Sequence, residues 1–322
     1  MSRSLQNNII YLSYGQGPHA DELVYAVLSA LRILGSGNRD YRIILYTDNP
    51  SAIRDLPVHV ELLSDKVLAD WAGPFDFNHR RKIFTIKHAL EKFGNRLIYC
   101  DTDTFFLKHP NKLFAHIRPG HTVMHIGEYH LHDSCASKLA DFVLGHNLHD
   151  RAGQRWNITP TTAMFNAGVI GLHESDISLL GEVLYLTDQI YPHVRIPTIE
   201  QFAFSVCLDT HTKLRESYDI VHHYWRPTDR ALFREQLSRV LHDSSFSSNE
   251  QRFRQLLPHR PSRGLVDRSF QSPAPTLGAR IRMALGRLAE CVGVKYQLKR
   301  AWHWIIRQTE LVNEMRHPHS RN

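Results

Sequence analysis

The stretch Leu97-Ile98-Tyr99-Cys100-Asp101-Thr102-Asp103-Thr104-Phe105-Phe106 decides how this chain is read. An apolar run meets two carboxylates spaced i, i+2, and apolar residues resume directly afterwards. Continuous apolar runs are the pattern of strands buried on both faces of a parallel sheet. In open α/β sheets, ligands gather outside the carboxyl ends of such strands. An Asp-x-Asp placed there offers hard oxygen ligands to Mg²⁺ or Mn²⁺, ions that keep open positions for phosphate oxygens. A surface turn after a strand uses the same residue types, so the flanking sequence has to decide between the two.

Upstream, Ile83, Ile86, Leu90 and Phe93 recur at helical spacing with Lys82, Lys87, Glu91 and Lys92 between them, and Gly94-Asn95 follows as a stop signal. A helix therefore feeds the acidic strand. Downstream, residues 162–172 read as an apolar strand interrupted by Asn166-Ala167-Gly168, and residues 219–227 as a short strand ending in His222-His223-Tyr224-Trp225-Arg226-Pro227. Further strands are expected at residues 9–14, 41–46, 58–63 and 122–126, and helices at 21–34, 177–190 and 198–208. This alternation predicts an α/β fold with a mostly parallel open sheet flanked by helices.

The chain has 322 residues, 42% of them hydrophobic and 22% charged, which suits one α/β domain with an appendage. Residues 1–227 form the expected catalytic domain. A polar arm follows at 228–276, where Ser, Arg, Gln and Pro accumulate, and then a basic amphipathic helical tail at 277–322. Leu277, Ile281, Leu285, Leu288 and Val292 recur at helical spacing, and eight basic residues face three glutamates over 277–316, so most of the net charge of +7 lies there. Such a tail suits an anionic membrane surface. The alternative is a helical hairpin packed on the protein. The four cysteines, Cys100, Cys135, Cys207 and Cys291, are far apart and include no CxxC pair, which points to neither a zinc site nor a disulfide framework and favours a reducing compartment. No apolar window reaches the roughly 18 residues of a membrane span, and the opening apolar run is too short for a signal peptide. The expectation is a cytoplasmic protein, peripheral on the inner face of the cell membrane, with no nucleic-acid partner.

Taken in order, Asp101-Thr-Asp103, Asn166-Ala-Gly168-Val169, Glu200-Gln201 and His223-Tyr224 resemble the GT-A-type glycosyltransferases, most closely the bacterial lipopolysaccharide galactosyltransferase-like enzymes of glycosyltransferase family 8. The resemblance covers roughly residues 9–227. It implies the GT-A fold and a metal-dependent transfer of sugar from a nucleotide-diphosphate sugar, UDP by default, to a hydroxyl of a glycan or lipid-linked acceptor. The family follows His-Tyr with a Gly-x-x-Lys-Pro phosphate loop, whereas this chain has Trp225-Arg226-Pro227. The phosphate-contacting cation and the donor base are therefore open.

Within that reading the metal, Mn²⁺ or Mg²⁺, is held by Asp103 and one imidazole, with Asp101 touching the metal or the ribose. Strand alternation sends His222 and His223 to opposite faces, and His223 is chosen because tyrosine follows it as in the family. Arg226 is expected at the diphosphate or in a surface ion pair, and Lys82 near the donor or on a solvated helix face. Ser13 and Tyr14 are placed at base and ribose, with Asp48 as a weaker candidate. Asn166 and Gly168 are placed against the sugar, with a β-bulge as the alternative. Glu200 and Gln201 would face the sugar as catalytic groups, unless Thr198 and Gln201 form a capping box. Residues 125–133, with Glu128 and Tyr129, and Trp156 would build an acceptor wall.

Two other functions use similar residues. A haloacid-dehalogenase-type phosphatase also carries Asp-x-Asp after an apolar strand, but its Thr or Val two residues beyond the second Asp is Phe105 here, and no later Asp-Asp pair completes its metal site. A noncatalytic nucleotide-sugar or glycan-binding relative shares the binding residues. Both Asp residues and His223 argue against it.

Overall fold

The computed structural model describes residues 7–35, 38–53, 56–133 and 136–245, together with 248 and 251. The expected tail at 277–322, most of the polar arm, Cys135 and Cys291 lie outside them. Eleven strands and eight helices follow one another along the described chain: β1 (Asn7–Ser13), α1 (His19–Leu34), β2 (Tyr41–Thr47), β3 (His59–Leu62), α2 (Asp65–Ala72), α3 (Arg80–Phe93), β4 (Arg96–Cys100), β5 (Thr104–Phe106), α4 (Asn111–His116), β6 (His121–Met124), β7 (Gly127–His130), α5 (Ser137–Gly145), β8 (Ala163–Phe165), β9 (Val169–His173), α6 (Ser178–Ile190), α7 (Ile199–His211), β10 (Lys213–Glu216), β11 (Val221–His223) and α8 (Pro227–Leu241).

Seven strands form one sheet in the order β10-β6-β9-β4-β1-β2-β3, and β9 alone runs against its neighbours β4 and β6. The sheet is therefore mostly parallel and flanked by helices, as the alternation of strand and helix in the sequence predicts. β1 sits near its middle and is buried along its whole length. Its side chains alternate between two cores: Ile9 and Tyr11 join Leu23, Val24 and Val27 of α1, while Ile10 and Leu12 join Ile83 and Ile86 of α3. Each such fully buried aliphatic side chain contributes about 1.5–3 kcal/mol relative to exposure. Helix α3 stops where expected: Gly94 and Asn95 take φ of 68° and 61°, and the Gly94 N–H closes on Leu90 O at 2.9 Å. These two left-handed residues turn the chain straight into β4.

Two expectations are corrected. Residues 163–172 are not one strand but two, β8 and β9, in different sheets. The Asn166 side chain accepts the Gly168 N–H at 2.9 Å, a local turn that takes residues 166–168 out of the ladder. The arm expected from residue 228 opens instead with α8. Pro227 occupies the first turn, where its fixed φ suits a helix. Phe233 and Leu237, spaced i, i+4, are buried with Leu23 and Val27 of α1, so this helix is part of the packed body.

A two-stranded antiparallel ladder completes the frame of the site. β11 pairs with β5 so that His223 lies opposite Thr104 and His222 opposite Phe105. The Tyr224 N–H donates to Asp103 O at 3.1 Å. The late histidine is thus carried to the acidic pair by backbone pairing.

Candidate functional site

At the carboxyl edge of the sheet, β4 ends at Cys100 and the chain turns through Asp101-Thr102-Asp103 into β5. The Asp101 N–H donates to Gly168 O at 2.8 Å and the Thr104 hydroxyl to Asp101 O at 2.7 Å, which fixes the turn. Both carboxylates line a cleft of about 550 Å³. Asp101, partly exposed, accepts the Tyr99 hydroxyl on Oδ1 at 2.9 Å and the Lys82 ammonium on Oδ2 at 3.2 Å. Asp103 is 4% exposed. Its Oδ1 lies 3.2 Å from His223 Nε2 and its Oδ2 2.9 Å from Arg230 Nη1. Burial alone would raise the Asp103 pKa, but His223 and Arg230 together hold it below the usual carboxylate range.

The orientation of His223 follows from its neighbours. Asn166 Nδ2 donates to Glu128 Oε1 at 3.2 Å, so its Oδ1 faces the Gly168 N–H and, at 2.8 Å, His223 Nδ1. An amide oxygen only accepts, so Nδ1 carries the proton and Nε2 is left facing Asp103. A metal-binding histidine has this arrangement, with the second nitrogen tied down behind the ligand. One oxygen of each aspartate and a ring nitrogen of His223 lie within 4.8 Å of one another. Two carboxylates and an imidazole form a donor set that fits Mg²⁺ or Mn²⁺. His222 points the other way, its ring 5.0 Å from that of Phe105, as strand alternation requires. Burial and the neighbouring His223 push the His222 pKa down to about 4 and the His125 pKa to about 3, so both are neutral rings beside His223.

Lys82 does not sit on a solvated helix face. It is 5% exposed, and its ammonium donates to Asp101 Oδ2 at 3.2 Å, Glu200 Oε1 at 3.2 Å and Ala167 O at 3.1 Å. Burial works against its charge, and the two carboxylates more than restore it. Glu200 and Gln201 occupy the first turn of α7, both buried. The capping-box alternative fails, because Thr198 makes no side-chain cap bond. Gln201 instead accepts the Ala167 N–H at 3.2 Å and donates to Glu128 Oε2 at 2.7 Å. Glu200 Oε2 is buried without a partner among the described residues. A buried carboxylate oxygen left unpaired is costly, and here it belongs to a residue lining the cleft.

Ser13 and Tyr14 line the same cleft. The Arg81 guanidinium lies 4.7 Å above the Tyr14 ring. Asp48 accepts the Gly15 N–H at 2.9 Å and so shapes the turn after β1. Arg226 stands elsewhere: exposed, 5.7 Å from the centre of the Trp225 ring, it lines a neighbouring cleft of about 380 Å³ with Glu128 and Tyr129. Trp156 is overturned as part of an acceptor wall. It is 6% exposed within the α6–α7 core, its ring 5.6 Å from that of His211. His130, His132 and Asp133 cluster on the surface, where the His130 N–H donates to Asp133 Oδ2 at 2.8 Å and His132 Nδ1 bonds Pro160 O at 3.0 Å.

Two residues of the site go unseen in the sequence reading. Arg230 on α8 reaches Asp103, and Glu22 in the first turn of α1, fully buried, holds both Arg230 and Arg234. The available signal is an acid directly beside the apolar run Leu23–Leu28 of α1, together with two arginines spaced i, i+4.

No family model matches the chain, and no curated protein matches it. Solved structures similar to it include mouse xyloside xylosyltransferase 1 in its apo form, at 15% identity over 66% of this chain and 84% of that one, with a TM-score of 0.43. They also include galactosyltransferase LgtC in complex with donor and acceptor sugar analogues, at 13% identity over 78% of this chain and 100% of that one, with a TM-score of 0.48.

Proposed function

We propose that this chain is a metal-dependent glycosyltransferase that moves a sugar from a nucleotide-diphosphate sugar, by default a UDP-sugar, to a hydroxyl of a glycan or lipid-linked acceptor. The observation that carries the reading is the trio of partly exposed Asp101 with buried Asp103 and His223, with Nδ1 of the imidazole tied to Asn166, at the carboxyl edge of the sheet. In the transfer, the bond between the anomeric carbon and a phosphate oxygen breaks with its electron pair leaving on that oxygen, the acceptor oxygen bonds the carbon and passes its proton to the departing diphosphate or to water, and negative charge grows on the diphosphate as it leaves. A divalent ion on the trio would supply electrostatic stabilisation of that charge. Asp101 and Asp103 are its carboxylate ligands and His223 its nitrogen ligand. Ser13 and Tyr14 fit the nucleoside end of the cleft. Glu200, with one unpartnered oxygen, fits a sugar hydroxyl as a hydrogen-bond acceptor. Gln201 and Lys82 hold the wall behind it through Ala167.

The deciding experiment is a panel of UDP- and GDP-sugars incubated with the full chain and Mn²⁺, read both as thermal stabilisation, since a bound donor raises stability by mass action, and as release of nucleotide diphosphate. Metal-dependent stabilisation and turnover with one donor are expected. Failure of every donor to bind would overturn the reading, and binding without turnover would make the chain a noncatalytic relative.

No helix among the described residues is long and apolar enough to cross a membrane. Association with an anionic membrane surface through residues 277–316 is proposed from their sequence alone. Salt-sensitive co-sedimentation of the full chain with phosphatidylserine vesicles, lost on deleting 277–322, is the expected result, and a full-length chain indifferent to vesicles would remove this part of the proposal.

A further inference from the structure

We infer that Arg230, held in place by Glu22, is the side chain that grips the donor's diphosphate, in the role that sequence reasoning gave to Arg226. The inference rests on the proposed glycosyltransferase function and names the cation that it needs.

Glu22 is fully buried, and both of its oxygens are taken by two guanidiniums from one face of α8. Arg230 donates Nε to Oε1 at 2.8 Å and Nη2 to Oε2 at 2.7 Å. Arg234 donates Nε to Oε1 at 2.8 Å and Nη2 to Oε2 at 3.1 Å. One carboxylate thus faces two permanent cations, and the cluster carries a surplus positive charge in a partly desolvated place. Such a charge is costly unless an anion meets it. With Nε and Nη2 of Arg230 pinned, the remaining Nη1 is the group that meets one, at 2.9 Å from Asp103 Oδ2.

Asp103 is the carboxylate that a divalent ion would engage, and an oxygen coordinated to an ion is a weaker partner for a guanidinium. Phosphate oxygens are the anions that such a donor accommodates best. The competing cations are spent or misplaced. Lys82 and Arg230 are the lysine and arginine that line the acid-pair cleft among the described residues. All three ammonium hydrogens of Lys82 have acceptors. Arg226 lies over Trp225 in the neighbouring cleft. Arg230 combines a fixed fork, a place in the cleft and a donor aimed at the metal ligands.

The test is calorimetric titration of the full chain, with Mn²⁺ present, using pyrophosphate, UDP and uridine as probes. Arg230→Gln should weaken pyrophosphate and UDP about 10- to 100-fold and uridine less than twofold. Arg239→Gln, an exposed residue paired with Glu235 on the same helix, should leave all three unchanged. If Arg230→Gln does not fold, as judged by its melting transition, Arg230→Lys carries the same test, because it keeps the charge and loses the fork; it should weaken pyrophosphate at least threefold. Unchanged pyrophosphate affinity in the folded variant overturns the inference, and so does an equal loss for uridine, which would mark a purely structural residue. Either result leaves the enzymatic reading standing if the wild-type chain turns over a donor. A wild-type chain that binds no nucleotide diphosphate overturns both.

Discussion

The ring of His223 lies directly over Gly168, so close that a methyl group on residue 168 would meet Nδ1 and Cε1 at 2.2 Å. Gly168 therefore makes room for the imidazole, and it also lines the cleft. Because Asn166 and Gly168 also sit in one local turn, a single tripeptide sets both the tautomer and the position of the ring.

Gly168→Ala should expel His223 from its place beside Asp103. Overpacking of this kind costs about 1–3 kcal/mol, so the protein should still fold. Mn²⁺ affinity, measured by calorimetry, should drop by about 100-fold. Retention of wild-type affinity would mean that the ring is not a ligand.

Removing ligands directly should separate the two adjacent histidines. Asp103→Asn and His223→Ala are each expected to lower sugar transfer at saturating donor by more than about 100-fold, the scale of losing one preorganised electrostatic contact. His222→Ala, whose ring packs on Phe105, should cost less than about fivefold. Equal losses at His222 and His223 would contradict the assigned faces of β11.

Asn166 acts on the metal ligand from behind. Asn166→Ala leaves the ring present but frees Nδ1, and loss of such a supporting hydrogen bond typically weakens metal binding about 10- to 100-fold. Titration of Mn²⁺ into the variant, with a melting curve to show intact packing, checks this. An unchanged Mn²⁺ affinity counts against the tautomer deduced from the Glu128–Asn166–His223 relay.

Lys82→Met should destabilise the fold itself. It strands two carboxylates, one of them on a residue that is 3% exposed, Glu200, and breaking a buried ion pair by removing one partner costs about 3–5 kcal/mol. Urea unfolding of Lys82→Met beside Lys82→Met/Glu200→Gln is the measurement. The double variant should recover at least a third of the loss, and a single-variant loss below about 1 kcal/mol would show that Lys82 does not neutralise the pair.

The acid pair, its strand and the helix before it are legible in the sequence because each carries a local signal: an apolar run, a period, a Gly-Asn stop. His223 is legible because strand alternation allows only one of the paired histidines at the acid pair, and the tyrosine after His223 matches the resembled family's pattern. Lys82 is half legible, since its place on α3 can be read but its burial depends on Glu200, more than a hundred residues away. The pairing of Arg230 with Glu22 is illegible for the same reason, since the two lie 208 residues apart and meet only when α8 packs on α1. Trp156 misleads because an aromatic residue in a polar stretch looks like a binding surface, whereas its ring closes the core under α6 and α7.

The β5–β11 ladder also imposes an order in time. Asp103 leaves the ribosome about 120 residues before His223, which at about 5–20 residues per second is a wait of roughly 6–24 s, and Arg230 comes later still. During that interval the emerging chain holds two neighbouring carboxylates and Lys82, but the imidazole and guanidinium that meet Asp103 in the folded protein, those of His223 and Arg230, are not yet made. The amino-terminal strands can form early, but the metal-ligand trio and its guanidinium are completed only once β11 and α8 have been made.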